Sequence, residues 1–93
     1  IDTIFLVAAG IYGVCRAVQS FLPGRRLHIV SFDHIPQTEE LMRAGLIHAT
    51  ICQQPFAQGY EAVKLAFNSL MSGAPPKKQQ FIVKNDIRIL ENL

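Results

Sequence analysis

The feature that most restricts what this chain can fold into is the order of its apolar runs. Short, nearly continuous apolar stretches alternate with segments whose apolar residues recur at spacings of three and four. Residues 3–8 (TIFLVA) form such a stretch, the pattern of a central parallel strand covered on both faces. Ala9-Gly10 turns the chain. From there Ile11, Val14, Cys15, Val18, Phe21 and Leu22 line one helical face, which Pro23-Gly24 stops. Residues 26–32 (RLHIVSF) predict a second strand ending at Asp33-His34, where Pro36 favours a turn or a helix start. Residues 37–44 then read as a short helix with Leu41 and Met42 inward and Gly45 as its C-terminal cap. A third strand over residues 46–53 is rich in β-branched residues. It leads to Pro55 and a helix carrying Phe56, Tyr60, Val63, Phe67 and Leu70 along one side, ended by Gly73, Pro75 and Pro76. Residues 80–83 and 87–90, separated by Lys84-Asn85-Asp86, predict edge strands or a hairpin. Strands alternating with helices imply an α/β fold, a Rossmann-like parallel sheet with flanking helices and right-handed crossovers. There is no internal repeat, and residues 72–78 are the one linker-like piece.

Composition narrows the function classes. At 93 residues a chain buries roughly two-thirds of its unfolded surface, enough for a core but not for a large enclosed cavity. Charged residues make up 17% of the chain, below the roughly 25% of ordinary domains, so apolar surface is expected to meet a partner. The net charge of +2 carries no basic stripe, only the pairs Arg25-Arg26 and Lys77-Lys78; this argues against direct nucleic-acid binding by these residues. The longest apolar stretch, residues 3–14, is interrupted by Gly10 and Gly13. It falls short of the about 20 residues a bilayer span needs, and it lacks the basic start and cleavage site of a signal peptide. No membrane association is expected. The first residue is Ile1, in the approach to a strand, which reads as a piece of a longer protein. Cys15 and Cys52 lie in apolar periodic segments with no CxxC and no zinc-ligand spacing, the pattern of two buried reduced thiols in a reducing compartment.

In open parallel sheets ligands bind at the carboxyl ends of the strands. Here those ends are Ala8-Ala9-Gly10, Asp33-His34 and Gln53-Gln54. A carboxylate at Asp33 can accept hydrogen bonds from two neighbouring hydroxyls of a polyol, and Gln53 can both donate and accept beside it. The competing reading makes Asp33 the cap of the following helix and Gln53 a loop residue. Catalysis has little support. His28 and His48 fall within strands, and His34 beside Asp33 points to the opposite face on an extended chain. The motifs GxSxG, GxGxxG and GxxxxGK[ST] are absent, and the GxxG at Gly10–Gly13 reads as a tight turn with close helix packing. Neither an enzyme, a cofactor nor a metal is expected. The stripe from Phe56 to Leu70 reads as a core face, or as a face that buries against a second lobe or subunit.

Several of these strings together carry a resemblance. Ile29-Val-Ser-Phe-Asp33, the helix end Met42-Arg-Ala-Gly45, and Ala49-Thr-Ile-Cys-Gln53-Gln54-Pro55 through Gly59 and Asn68 to Leu70 resemble the C-terminal part of type I periplasmic-binding-protein-like domains. That superfamily includes the effector domains of LacI/GalR-family transcriptional regulators and the sugar-binding proteins of ABC importers. The spacing from Gln53 to Gly59, with Pro55 between, is the most specific part. The resemblance covers essentially all of this chain and about the last third of such a domain. It implies a fragment of a bilobal domain whose ligand is clamped between two Rossmann-like lobes. Residues 1–53 would belong mostly to the second lobe, and residues 54–93 would return to the first. It also implies that Asp33 bonds sugar hydroxyls and that Gln53, on the hinge strand, reaches the ligand.

One departure is that Ala8-Ala9-Gly10 stands where the family usually has Asn or Asp, so the usual sugar pattern is incomplete and implies a ligand that is less polar, unusual or absent. Tyr12, Phe32 and Phe56 could then supply an apolar wall. The function implied first is the effector domain of a LacI-like regulator: cytoplasmic, homodimeric, binding a sugar or related metabolite, and reaching DNA only through a helix-turn-helix absent from this chain. The alternative is the solute receptor of an ABC sugar importer. A flavodoxin-like enzyme is disfavoured by the lack of a phosphate loop. With the first lobe incomplete, dimerisation or strand exchange is expected to cover the surfaces it would pack. Asp33→Ala is expected to abolish ligand-induced stabilisation and leave the unliganded melting almost unchanged.

Overall fold

A computed structural model describes residues 1–76 and 80–93; the predicted basic pair Lys77-Lys78 lies outside the described residues. The chain divides into two compact units, residues 1–53 with 86–93, and residues 54–85.

The first unit is a four-stranded sheet with two helices. Its elements in chain order are β1 (Thr3–Leu6), α1 (Ile11–Phe21), β2 (His28–Phe32), α2 (Pro36–Arg43), β3 (Ala49–Cys52) and β4 (Asp86–Arg88). The strands lie in sequence order. β1, β2 and β3 are parallel, with Thr3 beside His28 and Val30 beside Ala49, and β4 runs antiparallel to β3 with Ile87 beside Ile51. Pro36 begins α2 because its fixed φ suits a first helical turn. The same helix ends at Gly45, φ 80°, whose N–H donates to Met42 O while Leu46 N–H donates to Leu41 O. That paired closure needs a left-handed residue and explains the glycine. The predicted strands and helices of this unit are therefore present, each strand shorter than its apolar run.

The core forms on one face of the sheet. Ile11 and Cys15 from α1, Leu41 and Met42 from α2, and Leu27, Ile29 and Ile47 are buried together, with Ile4, Leu6 and Val18 packed against them. Phe21, expected on the inward face of α1, is 83% exposed because it lies at the helix end. By alternation and register, Phe5, Val30, Phe32, Ile51 and Ile87 share the other face. No helix of this unit covers it: Phe5 is 54% and Ile87 66% exposed, and Phe5 meets Phe32 edge to face with ring centroids 5.6 Å apart. This corrects the expectation that β1 is covered on both faces. It is an edge strand in this sheet, and its two-sided apolar pattern calls for a layer that the described residues of the unit do not supply.

The second unit is built on α3 (Pro55–Ser72), which ends at Gly73 in the left-handed region, φ 69°. Residues 80–83 form no strand, contrary to expectation. They border a cavity of about 450 Å³ with Gln58, Glu61, Ala62 and Leu65 of α3, and Gln54 Nε2 donates to Lys84 O. The stripe expected as a core face, or as a face that buries against a second lobe or subunit, is bare within this unit, with Phe56 85% exposed. The last predicted strand, residues 87–90, is realised only as Asp86–Arg88; Asn92 then accepts from Ile89 N–H and donates to Ile87 O, closing a short turn. Among the described residues no helix is long and apolar enough to cross a membrane.

Candidate functional site

The three parallel strands of the first unit deliver their carboxyl ends to one edge of the sheet, so β1 leads to Gly10, β2 to Asp33 and β3 to Gln53. Asp33 sits there in a left-handed conformation, φ 74°, one of two non-glycine residues with positive φ among those described. Its backbone is held from β3: Asp33 N–H donates to Ile51 O at 2.8 Å, and Thr50 Oγ1 donates to Asp33 O at 2.9 Å. Its side chain is held as well, because Gln53 Nε2 donates to Asp33 Oδ1 at 2.9 Å. The two residues singled out from the sequence thus meet, 20 positions apart in the chain. The competing reading of Asp33 is removed: α2 is capped at Ile35, and no side chain closes its first turn.

The arrangement has a definite chemistry. One carboxylate oxygen is occupied by an amide donor, while Asp33 Oδ2 has no protein partner among the described residues. A carboxylate offers about four lone-pair sites, and hydroxyl bonds to an ionised acceptor are short and strong. Such an edge has the acceptors that neutral polyhydroxyl groups can donate to. Among the described residues no group of three or more His, Cys, Asp or Glu side chains is placed to hold a metal ion.

The other predicted site residues fall differently. Tyr12 is in the first turn of α1, exposed, at the edge where the strands end, with the Arg16 guanidinium 5.9 Å above its ring. Phe32 immediately precedes Asp33, yet its ring lies on the bare sheet face against Phe5. Phe56 belongs to the second unit, beside Tyr60 in an apolar groove of about 610 Å³ along α3. The segment Ala8-Ala9-Gly10 offers no hydrogen-bonding side chain, and Gly10 uses its carbonyl to accept from Val14 N–H at the start of α1.

His34 does not pair with Asp33. Its Nε2 lies 3.2 Å from Glu39 Oε2, and Arg43 Nη2 donates to Glu39 Oε1 at 2.8 Å. These hydrogen bonds, Arg43 first and His34 second, hold the Glu39 carboxyl below its ordinary range. His28 and His48 stack edge to face, 5.0 Å between centroids, and His48 Nδ1 accepts from Ile29 N–H. They line a cavity of about 590 Å³ with Arg25 and Arg26 at the amino ends of the strands, the opposite edge from Asp33.

Sequence reasoning missed Ser31 and Thr50. Both are fully buried, and Ser31 Oγ donates to Thr50 Oγ1 at 2.9 Å. The signal was available: each is a polar residue at an inward position of an otherwise apolar strand. Cys15 is fully buried, and burial raises its thiol pKa; Cys52 is only half-buried, and both are free thiols.

With this geometry in place, comparison with known proteins is decisive at the level of family. A model of the periplasmic binding protein domain matches residues 1–74. The chain belongs to that family. Among solved structures, a chain of the XylFII–LytSN complex is 26% identical over all of this chain, with a TM-score of 0.81. GanP, a glucose-galactose binding protein from Geobacillus stearothermophilus, is 24% identical with a TM-score of 0.84, again over all of this chain. A carbohydrate transporter solute binding protein from Agrobacterium radiobacter, in complex with D-arabinose, is 19% identical over 99% of this chain with a TM-score of 0.82. The last two likenesses speak for the fold alone. This chain spans about a third of each of these proteins, 32%, 33% and 31%. No curated protein matches. The family fixes the fold expected from the sequence as a piece of a periplasmic-binding-protein-like domain. None of the three structures is named as a transcriptional regulator.

Proposed function

We propose that this chain is part of the ligand cleft of a sugar-binding receptor, with a binding rather than an enzymatic role. Asp33 accepts hydrogen bonds from sugar hydroxyls, and Gln53 orients that carboxylate and contributes its own polar groups to the ligand. The observation that carries the reading is the Gln53–Asp33 bond at the carboxyl edge of the sheet, made by a residue held at φ 74°. Two structural neighbours are named for glucose-galactose binding and for a D-arabinose complex. They favour a solute receptor of an importer over the regulator that the sequence resemblance put first.

The LacI-like effector domain is the second reading, cytoplasmic and homodimeric, with DNA bound through another domain. Its support is the free thiols of Cys15 and Cys52. In either setting ligand binding acts by favouring the closed arrangement of two lobes over the open one.

Thermal shifts of the full-length protein with D-glucose, D-galactose, D-xylose and D-arabinose test the proposal. At least one sugar is expected to raise Tm, and Asp33→Ala is expected to abolish that rise. A rise of unchanged size in Asp33→Ala removes Asp33 from the binding set, and no rise with any sugar rejects the sugar reading. Sugar-dependent release of the full-length protein from its promoter DNA would place the regulator reading first.

A further inference from the structure

We infer that Thr50 is a positioning residue for the ligand site: the buried Ser31–Thr50 hydroxyl pair holds Asp33 in the left-handed conformation that presents its carboxylate. The inference rests on the proposed role of Asp33 in binding sugar.

The donors and acceptors can be counted. Thr50 has one hydroxyl proton and faces two carbonyls, Asp33 O at 2.9 Å and Ser31 O at 3.2 Å. Ser31 Oγ donates into Thr50 Oγ1 at 2.9 Å. Because that bond occupies a lone pair on Thr50, the Thr50 proton is directed outward toward the carbonyls, with Asp33 O the nearer. Both side chains are fully buried, so water does not compete for these bonds. The chain of donors runs Ser31 to Thr50 to Asp33, from β2 across to β3 and back to the residue at the end of β2. It fastens the carbonyl of Asp33, while Ile51 O fastens its N–H and Gln53 its carboxylate. A residue with a Cβ does not stay at positive φ without such support. Thr50 itself is inward-facing and fully buried, so its effect on ligand reaches it through Asp33.

A site that is competent only part of the time binds more weakly in proportion to that fraction. Thr50→Val keeps the shape and removes the hydroxyl, and Thr50→Ser keeps the hydroxyl and removes a methyl. The experiment measures the Kd of the full-length receptor for whichever of D-glucose, D-galactose, D-xylose and D-arabinose binds the wild type. It also measures the three-bond amide-to-α-proton coupling of Asp33 without ligand, which reports φ. Thr50→Val is expected to weaken binding by about fivefold or more, the scale of one lost hydrogen bond, and to shift the coupling. Thr50→Ser is expected to keep both close to wild type. Ser31→Ala, which frees the Thr50 proton from its set direction, is expected to fall between.

Wild-type affinity in Thr50→Val overturns the inference, as does an equal loss in Thr50→Ser, which would assign the effect to packing. If the wild type binds none of the four sugars, the sugar reading fails by itself. The coupling then decides the positioning separately: an unchanged value in Thr50→Val refutes it, and a shift found in Thr50→Val but not in Thr50→Ser upholds it.

Discussion

Position 33 separates binding from stability, and two substitutions there read the separation directly. Asp33 sits at φ 74°. The left-handed conformation costs an ordinary L-residue roughly 1–2 kcal/mol, and Asp less than most because its short carboxylate bonds locally. Alanine at this position bears that cost in full and loses the bond from Gln53, worth about 0.5–1.5 kcal/mol net. Asp33→Ala should therefore destabilise the unliganded protein by about 1–2 kcal/mol. This revises the expectation from sequence, which left its melting almost unchanged. Glycine loses the same bond and adds unfolded-state entropy of about 0.5–1 kcal/mol, but it is free of the steric cost. Asp33→Gly should consequently be more stable than Asp33→Ala by about 1 kcal/mol, which raises Tm by a smaller amount the larger the unfolding unit. Urea unfolding and thermal melts of both variants, with and without sugar, provide the assay. Both should lose the sugar-induced rise. Asp33→Ala matching or exceeding Asp33→Gly in stability would refute the reasoning, because it would show that residue 33 is not held left-handed in solution.

Two further outcomes follow from titratable groups. The Glu39 carboxyl is lowered by Arg43 and His34, so the stability it contributes is present above its ordinary value and is lost as the pH falls through the lowered one. Urea midpoints between pH 6 and 3 should fall more steeply for wild type than for Glu39→Gln, and parallel curves would refute the coupling. Cys15 is fully buried with a raised pKa, whereas Cys52 is half-buried. Iodoacetamide under native conditions should label Cys52 well before Cys15, with both labelled in urea, and faster labelling of Cys15 would contradict the placement of α1.

Much of the fold was legible because hydrophobic period reports which element a segment becomes. Leu41 and Met42 turned inward as their spacing requires, and Gly45 closes α2. The period does not report what lies across from an apolar face. Residues 3–8 read as doubly covered, and one side proved bare, because a pattern records what a surface needs rather than whether the partner is present. Residues 80–83 were misread for a related reason: an apolar run predicts burial, and there the run lies along α3 without strand pairing. At the candidate site, the meeting of Asp33 and Gln53 at one edge was legible from topology, since parallel strands bring their carboxyl ends together. The sign of φ at Asp33 was not, because nothing in IVSFDH distinguishes a left-handed Asp from an extended one. Nor was the pairing of Ser31 with Thr50, which depends on strand register.

The low charged fraction has a physical location. Phe5 and Ile87 lie on the sheet face that no helix of the first unit covers, and Phe56 and Leu70 lie on α3, so apolar surface is left uncovered within each unit taken by itself. Natural sheets blunt exposed edges with charge, proline or a covering element. β1 has none of these among its residues Thr3–Leu6, and it stands beside an apolar face. Within the first unit the buried core lies on the α1–α2 side of the sheet, while the candidate edge at Asp33 and Gln53 is held by hydrogen bonds made inside the same unit. The two demands are separable: the apolar surfaces are a matter of burial, whereas the bonds that hold Asp33 are all made within the first unit. The carboxyl edge already carries the hydrogen bonds that would hold Asp33 for the proposed hydroxyl-rich ligand.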